Sequence, residues 1–100
     1  MLSTPPGPPR LPGYDLHEPT EDDARASLQR VFGAERGSDL WMQACRDAGL
    51  FPGQVRTTIL LDRAAKALAA QGGAAAIVAR SVEIRLRTYA RLAKTAGRQG

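Results

Sequence analysis

Cysteine, histidine and aromatic residues are nearly missing from this chain. Its 100 residues hold one Cys, one His, one Trp, two Tyr and two Phe. Cys45 has no second thiol to join, so no internal disulfide staples the fold and a reducing, cytoplasmic compartment is expected. A zinc-type donor set cannot be completed from one His and one Cys. A Cys45–His17 pair would require a residue of the Pro-rich start to reach a thiol on an apolar helix face, so a buried structural Cys is the expectation. No metal, no cofactor and no catalytic residue is expected. Long apolar runs are missing too. The longest, Ala74 to Ala79, falls far short of the roughly 20 residues that span a bilayer, so no membrane association is expected. The first residues, Met-Leu-Ser-Thr-Pro-Pro, lack the charged and apolar parts of a secretory signal. β-branched and aromatic side chains are few while Ala is plentiful, which favours helix over sheet.

Charge is present in both signs but unevenly divided. Residues 1–50 carry five basic and eight acidic side chains, a balance of −3; residues 51–100 carry nine basic ones against Asp62 and Glu83, a balance of +7, giving the net +4. Such asymmetry suits an anionic partner, and equally suits two halves of one fold that attract each other. The preference for Arg over Lys, with the Ala content, points to a GC-rich genome of bacterial type.

Six of the seven prolines lie in the first 19 residues, where they fix φ and remove amide donors. An extended, partly disordered tail over 1–19 is therefore expected, followed by a helical domain over 20–98. Thr20 with Asp23 three residues later forms a capping-box pattern, and Glu21, Asp22 and Asp23 suit the positive end of a helix dipole. Ala24, Leu28, Val31 and Phe32 then share one helical face up to Gly33. A second helix begins at Ala34 or, after Gly37 and an N-cap Ser38, at Asp39; the later start is preferred. Leu40, Trp41, Ala44, Cys45 and Ala48 form its apolar side, with Trp41 as a core anchor. Gly49-Leu50 is a left-handed helix cap, and Phe51-Pro52-Gly53 a turn. The β-branched run Val55 to Leu61 reads as a short strand, but Leu60, Leu61, Ala64, Ala65 and Leu68 carry helical spacing, so a helix from Thr57 or Thr58 is preferred. Gly72-Gly73 breaks the chain before the last helix.

That last segment partitions its residues by face. At 100° per residue Val78, Val82, Leu86, Tyr89 and Leu92 fall on one side, while Arg80, Arg87, Arg91, Lys94 and Arg98 gather opposite within about 80°. Ile77 and Ile84 lie on the flank of this polar face. Arg85 falls inside the apolar arc and is expected either to find a carboxylate, Asp62 or Asp47, or to sit at an edge and extend outward. The expected fold is all-α, a small four-helix domain with helices near 21–32, 38–48, 57–71 and 74–96 behind an extended Pro-rich N-terminal tail.

The expected function is a non-catalytic interaction or adaptor module. Arg80, Ile84, Arg87, Arg91, Lys94, Arg98 and Ile77 are the candidate contacts for a protein partner or a second copy of the chain. Nucleic acid is the alternative partner, because cations on one helical face can follow a phosphate backbone. A second route leads to the same alternative. Arg56-Thr57-Thr58-Ile59-Leu60-Leu61-Asp62, followed by a helix, a Gly break and another helix, resembles the ribbon-helix-helix DNA-binding proteins. That resemblance implies a paired ribbon placing Arg56, Thr58 and Leu60 toward the major groove.

Overall fold

The computed structural model describes residues 17–98, with side chains through Lys94. The proline-rich segment before residue 17, including Pro9-Arg10-Leu11-Pro12, lies outside the described residues. The fold is all-α: α1 (Glu21–Phe32), α2 (Ala34–Asp47), α3 (Thr58–Ala69) and α4 (Gly73–Arg98), with no strand among the described residues.

Helix α1 starts where the local chemistry directs. The Asp23 amide donates to Thr20 Oγ1 at 3.3 Å and the Thr20 amide donates back to the Asp23 carboxylate at 2.9 Å, a closed capping box. A single residue, Gly33 with φ 90°, connects α1 to α2. Helix α2 thus begins at Ala34, not at 38, and Gly37 and Ser38 lie inside it. The reason is packing. A Cβ at Gly37 would stand 2.7 Å from the backbone N and Cα of Gln29, so α2 crosses α1 where only hydrogen fits. The glycine that locally reads as a helix break is the contact point between two helices. Ser38 takes part in the same crossing by accepting a 2.9 Å hydrogen bond from Gln29 Nε2. Because α2 folds back over Leu28 and Gln29, Val31 is left outside the contact, 57 % exposed instead of buried as its spacing predicts.

The end of α2 follows the sequence pattern. The Leu50 amide reaches Cys45 O at 2.7 Å and the Gly49 amide reaches Arg46 O at 3.1 Å, with Gly49 at φ 74°, which is a Schellman cap. The chain then turns through Phe51-Pro52-Gly53-Gln54, closed by Gln54 N to Phe51 O at 3.0 Å with Gly53 at φ 86°. Thr57 caps α3, accepting from the Leu60 amide at 3.2 Å. The β-branched run is therefore divided: Val55 is buried in the entry segment, Thr57 is the cap, and Thr58 to Leu61 are the first turn of α3. The ribbon implied by the ribbon-helix-helix resemblance is not formed by these residues. A hydroxyl three residues before the Leu60 amide satisfies the helix end, and no strand among the described residues is placed to pair with this segment.

Gly72 and Gly73, at φ 75° and 58°, turn the chain so that α4 packs back along α3. The core is rich in alanine, with Ala24, Ala44, Ala64, Ala65, Ala75 and Ala79 buried around Trp41, Leu28, Leu61 and Leu68. Small side chains let four helix axes approach closely, and Trp41 fills the largest remaining space. No helix among the described residues is long and apolar enough to cross a membrane.

Candidate interaction surface

Helix α4 has 26 residues and α3 only 12, so at 1.5 Å per residue α4 outruns its neighbour by about 21 Å. Its buried side chains, Ala75, Val78, Ala79, Val82 and Leu86, all belong to its first 14 residues. Beyond them Tyr89, Leu92 and Ala93 are half-buried.

The opposite face carries the residues expected from the sequence. Arg80, Arg87, Arg91 and Lys94 are exposed, as are Ile77 at 72 % and Ile84 at 50 %. Arg98 closes the helix, its side chain lying beyond the described ones. The isoleucines lie on the flank of these cations and point outward. Measured from the centre of the buried face, Ile77 and Ile84 lie within about 25° of the direction pointing straight out to solvent. They face solvent squarely and border the basic face, because Arg80, Arg87, Arg91 and Lys94 all fall to one side of them at 100° per residue. Two rows with seven-residue spacing result, Ile77, Ile84, Arg91 and Arg98 in one and Arg80, Arg87 and Lys94 in the other. Neither row contains an acidic residue. Arg85 takes the second of its expected outcomes: it is exposed, while Asp62 pairs with Lys66 and Asp47 accepts from Gln43 at 2.8 Å.

Beside this face lies a groove of about 520 Å³ between α3 and α4. Ile59, Leu86, Tyr89 and Ala90 supply its apolar lining and Glu18, Asp62, Lys66, Glu83 and Arg87 its charges. Arg87 belongs to both the groove and the basic face. The groove was not foreseen, although Ile59, now 74 % exposed, falls outside the 60, 61, 64, 65, 68 spacing of the buried side of α3, and that was the available signal.

A second unforeseen arrangement is the surroundings of Glu21. Its carboxylate is buried and accepts three N–H donors: the Trp41 indole at 2.8 Å, the Gly53 amide at 2.7 Å and the Val55 amide at 3.2 Å. One side chain in the first turn of α1 thereby ties down α2 and the connection to α3. Its charge also acts on Cys45. Burial first, and then Glu21, push that thiol up to about 11, with Arg25 opposing. A fully buried thiol that keeps its proton at neutral pH is closed off as a nucleophile. His17, the other reactive type, is engaged at 3.1 Å by Asp23. Phe51, at the first position of the tightly held turn, is 73 % exposed, whereas Trp41 is fully buried as the core anchor.

No protein-family model, no curated protein and no solved structure matches this chain.

Proposed function

We propose that this chain is a non-catalytic protein-interaction module whose docking surface is the outer face of α4. The observation that carries the proposal is the placement of Ile77 and Ile84, turned squarely to solvent, alongside the cationic stripe of α4 and opposite the side that packs the core. A face serving only solubility gains nothing from two isoleucines there. Scaling full Ile burial by exposures of 72 % and 50 % gives roughly 2–4 kcal/mol for covering both. That falls short of the about 8 kcal/mol of a micromolar complex, so the cations must supply much of the specificity and affinity.

A second copy suits this face poorly. A two-fold contact brings a patch onto itself, so the cations Arg80, Arg87 and Lys94 would face the same cations of the second copy. Duplex DNA is the competing reading, supported by the rows of exposed cations and their capacity for counterion release. It leaves the two isoleucines beside a hydrated phosphate backbone, where their burial contributes little.

The test is a photo-crosslinking side chain at exposed Thr88, which borders the face and leaves Ile84 and Arg87 intact. In the cells of origin the expected result is a nuclease-resistant adduct with a protein, missing when the probe sits at exposed Glu35 on α2. A nuclease-sensitive adduct transfers the reading to DNA. The absence of any adduct removes the docking surface.

A further inference from the structure

From the face just described, and resting on the reading of it as a docking surface, we infer that the partner presents an amphipathic α-helix with an acidic N-terminal half, packed antiparallel to α4. Three properties of the face lead there. First, its charge is concentrated toward one end of the axis. Ile77 and Ile84 occupy the first half of α4 with Arg80 between them, while Arg87, Arg91 and Lys94 occupy the second. A complementary element is therefore mainly apolar at one end and acidic at the other.

Second, the repeat selects a helix. Equivalent positions seven residues apart stand about 10.5 Å apart along α4, the spacing at which a second helix at a small crossing angle offers its own seven-residue repeat. Same-face residues of an extended strand recur at about 6.8 Å and fall out of step. A helix also has no free backbone edge, so an extended segment would gain no main-chain hydrogen bonds from α4. Third, direction follows from electrostatics. The basic half of α4 is its C-terminal half, and helices tolerate acidic side chains best in their first turns. Laying the partner antiparallel sets its acidic first turns over Arg87 to Lys94 and opposes the two helix dipoles. Glu83, the nearest acid of α4, lies in the groove with Asp62 and Lys66 and not in either cationic row.

The test uses the full chain and synthetic helical peptides of about 21 residues, long enough to cover both halves of the face. One carries an apolar stripe with four Glu in its N-terminal half. A second has the same composition with the Glu moved to the C-terminal half, and a third replaces Glu by Lys. By fluorescence anisotropy the first is expected to bind about tenfold or more tighter than the other two, corresponding to the cost of mismatching a few charge pairs. Combining Arg87→Glu with Lys94→Glu weakens the first peptide and strengthens the third, each by about tenfold. Ile84→Ser, at an exposed position that leaves the core intact, weakens the first about threefold or more. Equal binding of the first two peptides overturns the orientation. Displacement of the first peptide by a duplex oligonucleotide at equal concentration and physiological salt, or indifference to Ile84→Ser, overturns the acidic helix. An adduct from Thr88 with failure of the first peptide sinks this inference alone; failure to crosslink at Thr88 sinks the docking surface on which it rests.

Discussion

Replacing Glu21 by Gln changes one atom and tests the largest single claim about what holds this fold together. The carboxylate offers Oε2 to the Trp41 indole at 2.8 Å and the Gly53 amide at 2.7 Å, and Oε1 to the Val55 amide at 3.2 Å. Glutamine has one oxygen and one NH2. With the oxygen in the Oε2 position, the NH2 faces the Val55 N–H, donor against donor; reversed, it faces both of the other donors. At least one buried N–H is orphaned, at about 1–3 kcal/mol, and the retained bonds lose their charge assistance, while release of the buried charge offsets part of the loss. The expected net cost is about 2–3 kcal/mol. For a domain of this size that lowers the melting temperature by roughly 8–24 °C. Glu21→Ala orphans all three donors and is expected to cost about 3–5 kcal/mol, a large part of typical total stability. Urea unfolding followed by the fluorescence of Trp41, the sole tryptophan, reads both variants. Asp22→Asn is the control. It removes an exposed charge from the same helix turn, where the dipole contribution is about 0.3–1 kcal/mol. If Glu21→Gln falls within about 0.5 kcal/mol of wild type, or no further from it than Asp22→Asn, the three hydrogen bonds are not the anchor described here.

Three further outcomes follow from particular contacts. Gly37→Ala drives a methyl to 2.7 Å from the Gln29 backbone, which has no rotamer to yield; overpacking of about 1–3 kcal/mol exceeds the ~1 kcal/mol gained in helix propensity, so the denaturation midpoint should fall, and a rise would mean the α1–α2 crossing is loose. Cys45, raised from 9.0 to about 11, should resist thiol reagents at neutral pH at any rate faster than unfolding. Because the folded chain keeps a proton that the unfolded chain loses, this group stabilises the fold fully below pH 9.0 and progressively less toward about pH 11. Rapid labelling of the native chain would contradict that burial. For Asp23 the sign is opposite. Partial burial raises its carboxyl, but hydrogen bonds from Thr20 and His17, with the His17 charge, outweigh it and hold the group below 3.8. Its stabilising contribution is present above that value and disappears as pH falls through the lowered one. Asp23→Asn should therefore be destabilising at neutral pH and indistinguishable from wild type at the acid end, and a gap that persists there would assign the effect to shape instead of charge.

What could be read from residues alone was whatever their near neighbours decide. The Thr20–Asp23 capping box, the Gly49-Leu50 cap, the Gly72-Gly73 break and the helical period of α4 are interactions within one or two turns, and each formed as the local pattern indicates. The same locality made the faces of α4 legible, and with them the exposed candidate contacts Ile77, Arg80, Ile84, Arg87, Arg91 and Lys94. Local reading failed where a residue answers to a distant one. Gly37 reads as a break until Leu28 and Gln29 are pressed against it. Val31 has the spacing of a buried residue but lies outside the contact that α2 makes. Glu21, Asp22 and Asp23 are equivalent to a helix dipole, yet only Glu21 faces donors 20, 32 and 34 positions further along the chain. The sequence by itself thus determined the helices, most of their caps and the two sides of the last one, because backbone capping and side-chain period act over a few residues. The tertiary structure alone decided which glycine is a contact, which acid is buried, and that a groove opens between α3 and α4, because packing joins residues that no local pattern relates.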